Sequence, residues 1–148
     1  MNLTEALDGA PTRDDLVVAG GDRLSTSELE AATSSVAAAL ASRSVGHGDR
    51  VAFQLPVSVD AVVLYRACWR LGAVAAALHP RAGAAQLVAA LEVLNPAVLV
   101  AGPGSPAAEL PGVLDASSLR GSGEVPPVFV APSDDALVMF TSGSSGAP

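Results

Sequence analysis

Between residues 51 and 100 the hydrophobic period changes four times, and a glycine or proline marks each change. Val51-Ala52-Phe53-Gln54-Leu55 is a compact apolar run that predicts a strand, closed by Pro56. Residues 59–71 are apolar on most sides, which predicts a helix buried against a sheet. Gly72 is placed to cap it, and a second strand follows over 73–78, ended by His79-Pro80. A further helix over 84–94 carries Leu87, Leu91 and Leu94 on one face. Asn95-Pro96 stops it, and 97–100 reads as a third strand. Strands alternating with helices across short joints imply an α/β fold: a parallel sheet with crossover helices on its faces.

The amino-terminal part fits the same style. Leu16-Val17-Val18-Ala19 predicts a short strand entering a turn at Gly20-Gly21-Asp22. Ser25-Thr26-Ser27-Glu28 has the form of a capping box, and Leu29, Ala32, Val36 and Leu40 follow at helical spacing. Residues 102–132 are rich in Pro, Gly and Ser and hold no period. They predict a surface connection within one domain spanning 1–148, with room for a short strand at Val128-Phe129-Val130. A last apolar run, Ala136-Leu137-Val138-Met139-Phe140, predicts a strand that leads into Thr141-Ser142-Gly143-Ser144-Ser145-Gly146-Ala147-Pro148.

Composition narrows the function classes. Half the residues are hydrophobic but few are aromatic, so the core must be built from small aliphatic side chains. The formal net charge of -7 argues against a nucleic-acid binder, which needs clustered cations to neutralise phosphate. Every cation is arginine; the chain has no lysine. Cys68 is the one cysteine, so no internal disulfide can form, which suits a reducing compartment. It lies in an apolar run and reads as a packed thiol rather than a nucleophile. The most apolar stretch, 59–78, is broken by Asp60, Arg66, Arg70 and Gly72, so no membrane span is expected. The first residues lack the basic-then-apolar order of a signal peptide, and a cytoplasmic location is the expectation.

The glycine- and hydroxyl-rich turn after the last strand carries the chemistry. Glycines let several backbone amides converge on one anion, and Ser and Thr hydroxyls add short donors. The spacing is not that of a Walker loop, nor of a dinucleotide fingerprint. A flexible Gly/Ser linker has the same composition, but it does not explain the apolar strand before the turn.

The run from Asp134 through Met139-Phe140-Thr141-Ser142-Gly143-Ser144-Ser145-Gly146-Ala147-Pro148 resembles the signature loop of the adenylate-forming, or AMP-binding, superfamily. Acyl-CoA synthetases, nonribosomal-peptide adenylation domains and luciferases belong to it. The likeness holds through the proline, after which the family's pattern continues with a lysine. Leu24-Ser25-Thr26-Ser27-Glu28-Leu29, Gly48-Asp49-Arg50-Val51-Ala52 and Leu71-Gly72-Ala73-Val74 through His79-Pro80 resemble further family segments, in the right order. Ser44, Val57 and His79 depart from it, standing where glycine, asparagine, and asparagine or aspartate are usual. All three shape turns, and His79 and His47 read as turn or surface residues rather than catalytic bases.

The resemblance implies the amino-terminal portion of the large domain of an acyl-CoA synthetase or ligase. A carboxylic acid substrate would attack ATP to give an acyl-adenylate and pyrophosphate. A thiol, of CoA or of a carrier protein, would then displace AMP. Mg²⁺ is implied as well. The roles carried onto this sequence are confined to Thr141, Ser142, Gly143, Ser144, Ser145 and Gly146, as a grip on the departing phosphates. No catalytic residue and no metal ligand is expected in this stretch. By itself it is expected to be inactive and aggregation-prone, because its sheet would lack later partners. A nonribosomal-peptide-type adenylation domain and a non-catalytic truncated product are the alternatives.

Overall fold

The computed structural model describes residues 2–14, 16–19, 21–125 and 127–140. Helix α1 (Leu3–Asp8) is followed by strands β1 (Val17–Ala19) and β2 (Asp22–Leu24) and helix α2 (Thr26–Ala41). Then come β3 (Arg50–Gln54), α3 (Val59–Arg70), β4 (Val74–Ala77), α4 (Ala84–Leu94) and β5 (Val98–Ala101). Strands β6 (Leu114–Asp115) and β7 (Leu137–Met139) complete a five-stranded sheet of order β6-β5-β3-β4-β7, parallel throughout.

The expected α/β architecture is present, with differences at its margins. The strand at 17–19 is not part of the parallel sheet; it pairs antiparallel with β2, a strand the sequence does not announce and whose Asp22 it assigns to the turn. Three residues on each side suffice for a hairpin but bury too little to seed a sheet. Helix α1 was not expected at all. None of its residues is buried, so no apolar period announces it; Asn2 caps it, its side chain accepting the Glu5 amide while Glu5 reaches back. The segment Val128-Phe129-Val130 is not a strand, and Phe129 is exposed.

Chain order decides which face each helix covers. The step from β3 to β4 runs one way along the sheet, and the step from β4 to β5 runs back across β3. Right-handed crossovers then require opposite faces. The packing agrees: Val51, Phe53, Ala75 and Val100 point into a cluster with α2 and α3. Ala52, Ala76 and Ala101 meet Leu87, Ala90 and Leu94 of α4. Alanines on the central strands let both helical layers approach closely, as the scarcity of aromatics foreshadowed. Cys68 is fully buried, and burial pushes its thiol up to about 12, so it is an inert core group.

Helix starts follow the sequence signals. The Ser25 hydroxyl accepts the Glu28 amide at 3.3 Å, while the Glu28 carboxylate accepts the Ser25 amide at 2.8 Å. Ser58 caps α3 through the Ala61 amide. Leu71 is the residue that caps the end of α3, and Gly72 follows with φ +65°. A Cβ there would lie 2.8 Å from the His47 ring, so glycine is required by conformation and by space.

The return from β6 to the far edge crosses the α2–α3 face. Gly121 lies against α2 so closely that a Cβ would come within 2.5 Å of the Ala39 nitrogen. The Ser35 hydroxyl donates to the Gly121 carbonyl at 3.0 Å. Residues 102–132 therefore hold to the surface by specific contacts. They include two short 3-10 turns, Pro106–Glu109 and Ala116–Ser118.

Candidate functional site

In a parallel sheet the carboxyl ends of all strands meet at one edge, and ligands bind in the crevice where neighbouring strands send their loops to opposite faces. Here β3 leads to α3 on one face, while β4 leads to α4 on the other, so their shared end is the switch point. β7 lies next to β4, with Ala75↔Leu137, Ala76↔Val138 and Ala77↔Met139 in register. The chain leaving β7 at Phe140 therefore emerges beside Leu78-His79-Pro80, the exit of β4.

Thr141, Ser142, Gly143, Ser144, Ser145 and Gly146 lie outside the described residues. The strand that delivers them is described, and it ends at the carboxyl edge beside the switch point.

The crevice itself is organised by a residue that sequence reading passed over. Gln54, at the end of β3, is fully buried. Its Nε2 donates to the carbonyl oxygens of His79 at 3.0 Å and Ala82 at 3.1 Å, with a longer 3.4 Å contact to Pro80. Its Oε1 accepts the Ala107 amide at 2.8 Å. One amide side chain thus fixes the turn after β4 and the 3-10 turn after β5. The available signal was a lone polar residue closing an apolar strand, Val51-Ala52-Phe53-Gln54-Leu55. Burying such a group is costly unless it is fully hydrogen-bonded.

Neither histidine has the surroundings of a catalytic base. His79 Nδ1 accepts the Arg81 amide at 3.1 Å and so shapes the turn. His47 is at the opposite, amino-terminal edge, with Nε2 2.8 Å from Asp134 Oδ2. That bond, and the Ala131 amide donating to the same carboxylate, hold Asp134 below the usual carboxylate range. The pair fastens the lead-in to β7 onto the turn before β3.

Two concavities elsewhere belong to the scaffold. A cavity of about 160 Å³ bounded by Asn2, Trp69, Gly72 and Ala136 lies at the amino ends of β4 and β7. An open groove of about 740 Å³ beside Val88, Leu91, Pro96 and Leu114 is larger but mostly apolar, and it flanks the starts of β5 and β6. Size does not select it, because the buried Gln54 with its polar partners and the carboxyl end of β7 lie at the other end of the sheet. Among the described residues there is no cluster of three or more His, Cys, Asp or Glu side chains that could hold a metal ion. No described helix is long and apolar enough to cross a membrane.

Comparison with known proteins agrees with the fold and with the family resemblance. Residues 3–148 match the family described as AMP-binding enzyme. Over 142 residues the chain is 32% identical to a 4-chlorobenzoate–CoA ligase of Arthrobacter sp., covering 86% of this chain and 27% of that one. It is equally 32% identical, over 152 residues, to an L-proline–[L-prolyl-carrier protein] ligase of Pseudomonas fluorescens, covering 92% and 30%. The N-terminal subdomain of Klebsiella oxytoca NpsA superposes with a TM-score of 0.79 at 22% identity, covering 99% of this chain and 40% of that one. That last likeness speaks for the fold alone. The chain spans less than a third of the length of these two ligases. With the sheet order and the family match over residues 3–148 in agreement, this chain belongs to the AMP-binding enzyme family of adenylate-forming ligases.

Proposed function

We propose that this chain supplies the phosphate-gripping part of an ATP-dependent ligase that activates a carboxylic acid as its acyl-adenylate and passes the acyl group to a thiol. The observation that carries this reading is the placement of β7. It is parallel to β4 and ends at the carboxyl edge beside the switch point, and the sequence there turns into Thr141-Ser142-Gly143-Ser144-Ser145-Gly146.

In this reading the substrate carboxylate attacks the α-phosphorus of ATP, and the bond to the bridging oxygen breaks with pyrophosphate leaving. The thiol then attacks the acyl carbon, and AMP departs. Both steps depend on positioning and charge stabilisation more than on covalent help from the protein. The donor chemistry of Thr141, Ser142, Ser144, Ser145 and the neighbouring glycine amides suits the β- and γ-phosphates. A set of hydroxyl and amide donors on an anion adds about 1.5–3 kcal/mol per bond. The described residues offer no carboxylate cluster for Mg²⁺, so no step is assigned to a metal here.

CoA is the first-choice acceptor. A carrier-protein thiol is the second reading, supported by the prolyl-carrier ligase at the same identity as the CoA ligase. Calorimetric titration of the 148-residue chain with inorganic pyrophosphate tests the grip. Ser142→Ala and Ser145→Ala are each expected to weaken binding by about tenfold, the loss of one such bond. Equal affinity in the wild type and the double variant would contradict the reading.

A further inference from the structure

We infer that helix α1 is a releasable strap: docked, it covers the cavity at the amino ends of β4 and β7, and it comes off as a unit while the sheet stays folded. The strap lies at the end of the sheet opposite the candidate site and does not rest on the function proposed above.

A six-residue helix with no buried residue has little to hold it in water, since isolated helices shorter than about 12–15 residues are marginal. α1 is therefore helical while docked and coil once released. Asn2 joins the two events in one side chain. Its Oδ1 accepts the Glu5 amide at 2.9 Å and starts the helix, while its Nδ2 donates to the Val130 carbonyl at 3.0 Å on the lead-in to β7. The Thr4 hydroxyl donates to the Trp69 carbonyl at 3.2 Å. At the other end Asp8 reaches Arg66 at 3.0 Å and Arg70 at 3.7 Å, a clamp formed by two arginines of α3.

Release strands no buried charge, and that sets α1 apart from the framework. Glu30 of α2 keeps both guanidinium groups paired, at 2.6 Å to Arg70 and 3.5 Å to Arg66, and Arg70 also donates to the Ser34 hydroxyl. The Trp69 carbonyl keeps the Gly72 amide at 3.1 Å. Asp8 is exposed even when docked, so its return to water costs little. Local opening of such a segment costs far less than global unfolding. What it uncovers is specific. Asn2, Leu3 and Thr4 form one wall of the cavity of about 160 Å³, and Trp69, Gly72 and Ala136 contribute to the rest. A narrower concavity, bounded by Thr4, Leu7, Trp69 and Arg70, lies between α1 and α3. α1 thus lies across Trp69, and its departure turns the cavity into an open cleft with the indole in its wall.

The test is hydrogen exchange on the full chain, together with acrylamide quenching of its single tryptophan. The α1 amides of Ala6 and Gly9, bonded to the Asn2 and Glu5 carbonyls, are expected to open at least about 100-fold more often than those of β3 and β5. Molar salt and Asp8→Asn should each raise α1 exchange about two- to fivefold, and salt should add nothing in the variant. Asn2→Ala combined with Asp8→Asn should release the strap: α1 loses its protection, quenching of Trp69 rises, and β3 and β5 stay as in the wild type. Equal opening of α1, β3 and β5 in the wild type would overturn the strap. So would a salt effect as large in Asp8→Asn as in the wild type. Loss of α1 protection with unchanged quenching would show a helix that frays without covering Trp69, which overturns it as well. Failure of the double variant to fold would place α1 in the framework, with the same consequence.

Discussion

The Gln54 side chain accepts the Ala107 amide at 2.8 Å and thereby joins the end of β3 to the turn that follows β5. With its donors on the His79 and Ala82 carbonyls, this buried amide holds together two loops on the α4 face of the sheet, at the switch point. The loops beside the candidate site therefore depend on a single polar residue.

Replacing that residue with an isosteric apolar one exposes the dependence. Gln54→Leu preserves volume but strands the buried Ala107 amide and takes the donor from two part-buried carbonyls. Each unpaired buried group costs about 1–3 kcal/mol, with partial relief by relaxation, so the variant should lose about 2–4 kcal/mol. Urea denaturation monitored by the single tryptophan measures this. A loss under about 0.5 kcal/mol would mean that water already serves these groups.

Ser44 has φ +64°, the left-handed region, immediately after α2. A non-glycine residue there carries a cost of about 1–2 kcal/mol, and glycine returns part of it by widening the unfolded ensemble. Ser44→Gly should therefore stabilise the chain by about 0.5–1 kcal/mol in the same denaturation experiment. No stabilisation would show that the serine side chain makes up for the strain.

Acid should weaken the clamp on α1. Glu30 accepts from Arg70 at 2.6 Å and from Arg66 at 3.5 Å, and both arginines also reach Asp8 of α1. The Arg70 bond holds the Glu30 carboxyl below its ordinary value of 4.5, against the opposing effect of burial. A depressed folded value means the stabilisation is complete above the ordinary value and is lost as pH falls through the folded one. With both carboxylates half exposed, the whole contribution is under about 1 kcal/mol. The stability gap between wild type and Glu30→Gln should be present at neutral pH, shrink in molar salt and close as pH falls through the depressed folded value. A gap that persists undiminished in acid would assign the effect to packing.

Much of the fold was legible because local signals and global topology agree. The Ser25 capping box, the apolar runs at 51–55 and 73–78, and the Gly72 and Asn95 stops each name an element that the structure contains. What was illegible lacks apolar periodicity. Helix α1 is held by Asn2, Thr4 and Asp8 through partners more than fifty residues away, and β6 is two residues paired only to β5. Of the candidate site, the delivering strand was readable from residue types, and residues 141–146 after it lie outside the described residues. Gln54 was not readable, since its role arises from which main-chain groups the fold brings within reach.

The most direct test of the central claim is to locate the anion. Amide chemical shifts of the isotope-labelled chain, followed while inorganic pyrophosphate is added, report where it binds. The account predicts that shifts concentrate on residues 141–146, extend to Phe140 and the His79–Arg81 turn, and leave the His47–Asp134 edge undisturbed. Shifts centred on the amino-terminal edge of the sheet, or none at residues 141–146, would contradict it.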